Sequence, residues 1–249
     1  MSFGMNLPVN PNICCTFAVV SIKFETMEIQ IKSCIEGARQ AKGLTIIIDV
    51  FRSSNTIIAS LAQGADYVIP VGKLEEAYRL KKAYPHHLLI GERKSQTPEG
   101  FDFGNSPSRA ASMDMKNKQV ILTTSAGTQG IVSATGADEI LIASFANAAS
   151  VLKYIHQKNP SYVTLAPMGF ESSEKAEEDE QCALYLKEQL EGKTSNFEAM
   201  KKKMLSCKGA ERLRSIGRED DLHYALQLDI HPIVPRFNRD NQKLEPIHP

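Results

Sequence analysis

Charge of either sign is in no excess: 29 lysines and arginines match 29 aspartates and glutamates, leaving the 249-residue chain formally neutral at pH 7. A neutral chain lacks the basic face that bulk binding to nucleic acid requires. Long apolar runs are missing too. The stretch 13–22 falls short of the about 20 residues of a membrane helix. It is followed by Lys23 and Glu25, and no basic segment precedes it as in a signal peptide. The five cysteines, Cys14, Cys15, Cys34, Cys182 and Cys207, include no C-x-x-C pair. That argues against a disulfide framework or a zinc site and for reduced thiols. Together these absences predict a cytoplasmic protein that needs neither membrane nor nucleic acid. The P-loop, dinucleotide-binding and H-E-x-x-H signatures are also absent. Asp49-Val-Phe lacks the second aspartate of D-x-D phosphatases, and none of the six histidines has a ligand-like partner.

What is present is an ordinary globular composition, 42% hydrophobic, enough for one large domain or two subdomains sharing a sheet. Short β-branched runs alternate with helix-period segments. Strands are predicted over 27–31, 45–50, 67–70, 88–90, 119–123, 139–142 and 162–166. Helices are predicted over 56–63, 74–84, 128–134, 147–157 and 176–191, with further helical signals over 196–207 and 220–228. This alternation predicts an α/β fold, a three-layer α/β/α sandwich around a largely parallel or mixed sheet. Residues 1–26 fit poorly and are read as an N-terminal extension, 27–237 as the domain, and 238–249 as an irregular tail.

Ligands of such sheets collect beyond the carboxyl ends of strands, so polar residues just after strands carry the most weight. Asp49, Arg52, Ser53 and Ser54 follow one strand, where Asp49 suits a divalent cation and Arg52 an anion. Glu92 and Arg93 follow another and open a long loop, 91–107, that also holds Asp102 and Asn105. Thr123, Thr124, Ser125, Gly127 and Thr128 form a strand-to-helix turn whose hydroxyls and N–H groups make an anion cradle. The acidic run Glu177 to Glu180 opens a helix; the dipole accounts for most of it, and one or two members remain as metal ligands.

These blocks in this order resemble the 2-phosphosulfolactate phosphatase (ComB) family. The matching stretches are Ile48 to Arg52 with Ser54 and Thr56, Gly91-Glu-Arg93, Gly100-Phe-Asp102, Gly104 to Pro107 and Thr123 to Thr128. Asn147-Ala148, Glu178-Asp179, Cys182-Ala183 and Glu219-Asp220 continue the pattern, which covers residues 27–237. The resemblance implies an α/β/α fold and a Mg²⁺-dependent hydrolase that removes phosphate from 2-phospho-3-sulfolactate, a step towards coenzyme M. Members occur in organisms not expected to make coenzyme M, so the resemblance implies the reaction type more firmly than the substrate. One departure is Ala126, where the family has Asn, which would alter substrate recognition or weaken activity.

Read as a phosphatase, the chain has Asp49, Glu92 and Asp102 as catalytic carboxylates and Asp49, Glu178 and Asp179 as the Mg²⁺ ligands. Arg52, Arg93, Asn105, Thr123, Thr124, Ser125, Gly127 and Thr128 would bind the substrate. The partner is a small anionic phosphorylated substrate, with homo-oligomerisation left open. Two other readings stand beside it. One is a phospho-ligand-binding relative with little turnover; the other is a serine hydrolase using Ser125 with His156, His223 or His231. Cys182, with no His or Lys beside it, is read as a packing residue.

Overall fold

The computed structural model describes residues 27–249, so the segment 1–26 lies outside the described residues. Nine strands form one sheet: β1 (Glu28–Ile31), β2 (Leu44–Ile48), β3 (Tyr67–Val71), β4 (Leu88–Gly91), β5 (Gln119–Thr123), β6 (Glu139–Ala143), β7 (Tyr162–Pro167), β8 (Val234–Asn238) and β9 (Lys243–Ile247). Their spatial order is β1-β7-β2-β6-β8-β9-β3-β5-β4. The helices are α1 (Cys34–Arg39), α2 (Ser53–Ala62), α3 (Leu74–Ala83), α4 (Pro107–Ala111), α5 (Gly127–Ser133), α6 (Ala148–Lys158), α7 (Glu177–Leu190), α8 (Phe197–Met204), α9 (Lys208–Ser215) and α10 (Glu219–Ala225).

The sheet is two parallel pieces joined by a hairpin. β1, β7, β2 and β6 pair in parallel, as do β3, β5 and β4. Between them β8 and β9 pair antiparallel with each other and with β6 and β3. Three antiparallel junctions make the two pieces run in opposite directions. A strand-to-strand twist of about 20–25°, summed over the steps from β2 to β5, turns the second piece by on the order of 100°. That rotation swings the carboxyl ends of β4 and β5 towards those of β2 and β7, where the site lies.

The hydrophobic pattern explains the layering. β2 is buried on both faces, as a central parallel strand must be. Ile47 packs with α2, Ile90, Val120 and Leu122 in a core shared by both pieces. Ile46 and Ile48 face the opposite layer with Val151, Leu186 and Leu213. Leu89 and Ile121 pack beneath α3 in a smaller cluster.

Two expectations need correction. The tail expected to be irregular is the β8–β9 hairpin at the centre of the sheet, extending past the boundary drawn at 237. Its prolines misled, because Pro235 and Pro246 face each other across the hairpin while Phe237 and Leu244 supply the apolar pairing. The second helix begins at Ser53, not Thr56, because its first turn is capped by the Asp49 carboxylate and not by its own serines. The helical signal over 196–207 is met by α8, and a helix that was not expected, α9, follows from Lys208.

Leu244 is fully buried between Phe237 and Val68. Leu244→Ala should therefore cost about 2–5 kcal/mol, the range for a core leucine, read as a lowered urea midpoint. A change within about 0.5 kcal/mol, typical of exposed positions, would show that the hairpin is peripheral.

Candidate active site

The turns after β2, β4, β5 and β7 converge with the first turn of α7 and with α9 on one cavity. Its walls include Asp49, Arg52, Glu92, Ser125, Glu178 and Asp179. The chain sets these side chains with its own main-chain donors. Asp49 Oδ1 accepts the Ser53 N–H at 3.1 Å and Oδ2 the Gly127 N–H at 2.8 Å. Asp179 Oδ1 accepts the Val50 N–H at 2.7 Å and Oδ2 the Gly169 N–H at 2.8 Å. Glu92 Oε1 accepts the Ser125 N–H at 2.7 Å, and Oε2 accepts the Ser95 N–H and the Ser125 hydroxyl. The turn that presents Ser95 is tight: Arg93 and Gln96 exchange both main-chain hydrogen bonds around Lys94 and Ser95, whose φ values are 51° and 64°.

The β5–α5 turn does point N–H donors outward, and the protein fills two of them with its own carboxylates, Glu92 and Asp49. Gly127 has to be glycine for this contact. A Cβ there would lie 2.5 Å from Ser53 Oγ and 2.9 Å from Asp49 Oδ2. Thr123, Thr124 and Thr128 are buried behind the turn. Thr123 Oγ1 donates to Val71 O, Thr128 Oγ1 accepts the Thr124 N–H, and Thr124 Oγ1 accepts the Thr128 N–H. They build the turn, and Ser125 is the turn residue whose hydroxyl lines the cavity.

Burial of so many like charges shifts their protonation. Desolvation first, then Glu92 and Glu178, push Asp49 up to about 7. Desolvation, then Asp49 and Glu178, hold Asp179 well above the usual carboxylate range. Glu178 is raised by its burial. Main-chain donors oppose these shifts at Asp49 and Asp179 without cancelling them.

Arg52 is buried and bound through Nη1 to Asp221 Oδ2 at 2.8 Å. Asp221 Oδ1 accepts the hydroxyls of Ser106 and Ser108 and the Ser108 N–H. Asn105 lines the cavity, its Oδ1 accepting the Thr56 hydroxyl at 2.7 Å. Of the acidic run, Glu178 and Asp179 face the cavity and Glu177 faces solvent.

Besides the threonines of the turn, two expected site residues are placed elsewhere. Asp102 Oδ2 accepts the Leu89 N–H at 2.7 Å and lies 3.2 Å from Lys81 Nζ. It sits at the outer edge of β4, the last strand of the sheet, where its own N–H also donates to Leu89 O and Lys81 of α3 reaches it. Arg93 gives its guanidinium to Glu92 O, Gly72 O and Thr123 Oγ1 and lines a neighbouring hollow. His156, His223 and His231 do not line the cavity; His231 bonds the Tyr224 hydroxyl, and Ser125 Oγ donates to Glu92. Cys182 is fully buried, and burial pushes its thiol up, away from nucleophilic character.

Sequence reasoning missed Asp221, Lys94, Gly169, Phe170 and Arg212. Gly169 and Phe170 lie just beyond β7, where the strand-end rule used for the other turns would have found them. Asp221 and Arg212 carry no local signal, since only the docking of α9 and α10 brings them to the site.

For a divalent cation the fit is partial and specific. Among the described residues no three His, Cys, Asp or Glu side chains converge as a preformed metal group. Asp49, Glu178 and Asp179 nevertheless line one cavity with oxygen donors only, and each Asp oxygen keeps a lone-pair site beyond its N–H contact. That donor chemistry suits Mg²⁺, which binds through one or two carboxylates and completes its shell with water and substrate oxygens.

Asp221→Ala should leave Arg52 buried and unpaired at a cost of about 3–5 kcal/mol, whereas Asp221→Asn should fold and raise KM for an anionic substrate. Urea unfolding and steady-state kinetics read both effects. Wild-type stability and KM in the alanine variant would sink this role for Asp221.

Against known proteins, the profile of the family described as 2-phosphosulpholactate phosphatase matches residues 29–240. A Pseudothermotoga lettingae protein described as "Probable 2-phosphosulfolactate phosphatase" is 34% identical over 209 residues, covering 78% of this chain and 89% of its own. Proteins of the same description from Clostridium perfringens and Thermoplasma volcanium are 30% and 32% identical over 80% and 78% of this chain, and over 88% and 89% of their own. With a match of that extent laid over a cavity built from its matching blocks, the chain belongs to the 2-phosphosulfolactate phosphatase family and is a phosphatase of that family.

Proposed function

We propose that the protein is a Mg²⁺-dependent phosphatase acting on the phosphate monoester of a 2-hydroxy acid, with (2R)-2-phospho-3-sulfolactate as the substrate and 3-sulfolactate and phosphate as products. The observation that carries this reading is the meeting of buried Asp49, Glu178 and Asp179 with Arg52 in one cavity. Carboxylates buried in one cavity favour a cation beside them. Of the basic side chains that line it, Arg52 is already paired with Asp221, and neither Lys94 nor Arg212 forms an ion pair within 4.0 Å among the described residues. When bound there, Mg²⁺ would neutralise phosphoryl charge and orient water.

The chain's own groups account for the rest. Arg52, fixed by Asp221, keeps guanidinium N–H donors for the phosphoryl oxygens. Asn105 and Ser125 add neutral donors at the cavity wall. Asp49 and Glu92 are the carboxylates available as general base, Asp49 with a proton affinity matched to neutral pH. The substrate assignment is drawn from the relatives' description, as is any place on a route to coenzyme M. A cytoplasmic setting is supported by the free thiols Cys34, Cys182 and Cys207 and by the lack, among the described residues, of any helix long and apolar enough to cross a membrane.

Without a cation Asp49 keeps its proton to about pH 7, while in the unfolded chain it loses it near 4. The folded state then holds more protons than the unfolded state across that window, so stability should fall as pH rises from 4 to 7 in EDTA. Asp49→Asn should flatten that dependence, lower kcat on order of 100-fold or more and raise the Mg²⁺ requirement. Thermal midpoints and phosphate release across a magnesium titration check this. Wild-type behaviour of Asp49→Asn at every Mg²⁺ concentration would show that the reaction lies elsewhere; phosphate release with no Mg²⁺ response would reject the metal.

A further inference from the structure

Three arginines lie in or beside the reaction cavity, and two of them are committed. Arg52 is held by Asp221, and Arg93 is tied to main-chain carbonyls and Thr123. The third, Arg212, lines the same cavity from α9, half-buried, and among the described residues it forms no ion pair within 4.0 Å. Its guanidinium carbon lies 3.8 Å from the centroid of the Phe170 ring. A guanidinium stacked in this way is held by its face, which leaves its N–H edge free to grip an anion in the plane.

Both sides of this arrangement are fixed. Phe170 stands in a turn closed by its N–H donating to Glu174 O at 2.7 Å, and Ser172 Oγ in that turn donates to Ser125 O at 2.9 Å. On the other side, α9 lies flush against the acidic wall. A Cβ on Gly209 would come within 2.5 Å of Glu178 Oε1, and Arg212 follows Gly209 by three residues, on the same helix face. The close approach at Gly209 is what brings Arg212 to the cavity.

We propose that Arg212 is a specificity-determining residue that binds the second anionic group of the substrate, the carboxylate or sulfonate carried beside the phosphate ester. This rests on the phosphatase reading for the identity of the ligand, while the anion contact itself can be measured without turnover. It gives the site one arginine for the phosphoryl group and another, on a separate element, for the acid portion. A plain phosphate ester would use only the first.

The test compares 2-phospholactate, which carries a carboxylate, with glycerol 2-phosphate, which does not, on the full chain in Mg²⁺. Calorimetry measures binding and phosphate release measures turnover, for wild type, Arg212→Gln and Arg212→Lys. Arg212→Gln should weaken 2-phospholactate by about 10–100-fold, the value of a charge-assisted hydrogen bond, mainly through KM with kcat little changed. Glycerol 2-phosphate should stay within about twofold. Arg212→Lys, charged but without the planar fork, should fall between. Equal losses for both ligands would mean that Arg212 only supports the wall, and no loss for either would mean that it is idle; each overturns the proposal, as does a wild type that binds neither. If wild type binds 2-phospholactate but releases no phosphate, the phosphatase reading fails while the binding ratio still decides the role of Arg212.

Discussion

Two buried aspartates, each held by two main-chain N–H groups from different parts of the chain, are the constraint from which the rest of this structure follows. Asp49 ties the turn after β2 to the turn after β5, through Ser53 and Gly127. Asp179 ties the start of α7 to the turns after β2 and β7, through Val50 and Gly169. The two pieces of the sheet run in opposite directions and are joined within the sheet by the β8–β9 hairpin. Asp49 supplies a second connection between the pieces, at the carboxyl ends of the strands, Asp179 locks the turns of the first piece beside it, and that junction is the site.

The arrangement trades stability for chemistry. Carboxylates grouped out of water are costly unless hydrogen-bonded or neutralised, and burial accordingly shifts Asp49, Glu178 and Asp179 towards their protonated forms. Main-chain donors keep the carboxylates in place without supplying a counter-charge. The fold carries this strain in a well-packed interior: Ile46, Ile47 and Ile48 are fully buried immediately before Asp49.

Much of this was legible in the sequence, and the limits have physical causes. Strands β2 to β7 announce themselves by β-branched runs, and the residues just after them supplied Asp49, Glu92 and Ser125. The first turn of α7 was legible as an acidic block, and it is the structure that separates Glu178 and Asp179 from Glu177. Asp102 and Arg93 looked equally suitable because a loop sequence does not say which side of the sheet a side chain takes. The C-terminal hairpin was obscured by its prolines, whose pairing with each other across two strands is a tertiary fact. Asp221 and Arg212 sit in helices with ordinary surface composition, and only packing gives them a role.

The account turns on the carboxylate group being a cation site whose protons yield to the metal. Calorimetric titration of the EDTA-treated protein with Mg²⁺, in buffers of different ionisation enthalpy, counts the protons released on binding. Saturable binding accompanied by proton release at pH 7, with affinity rising as pH rises, is the predicted result, because a metal bound by Asp49 and its neighbours must displace the protons that burial keeps there. Binding with no proton released, or no saturable binding at any pH at which the protein is folded, would contradict it.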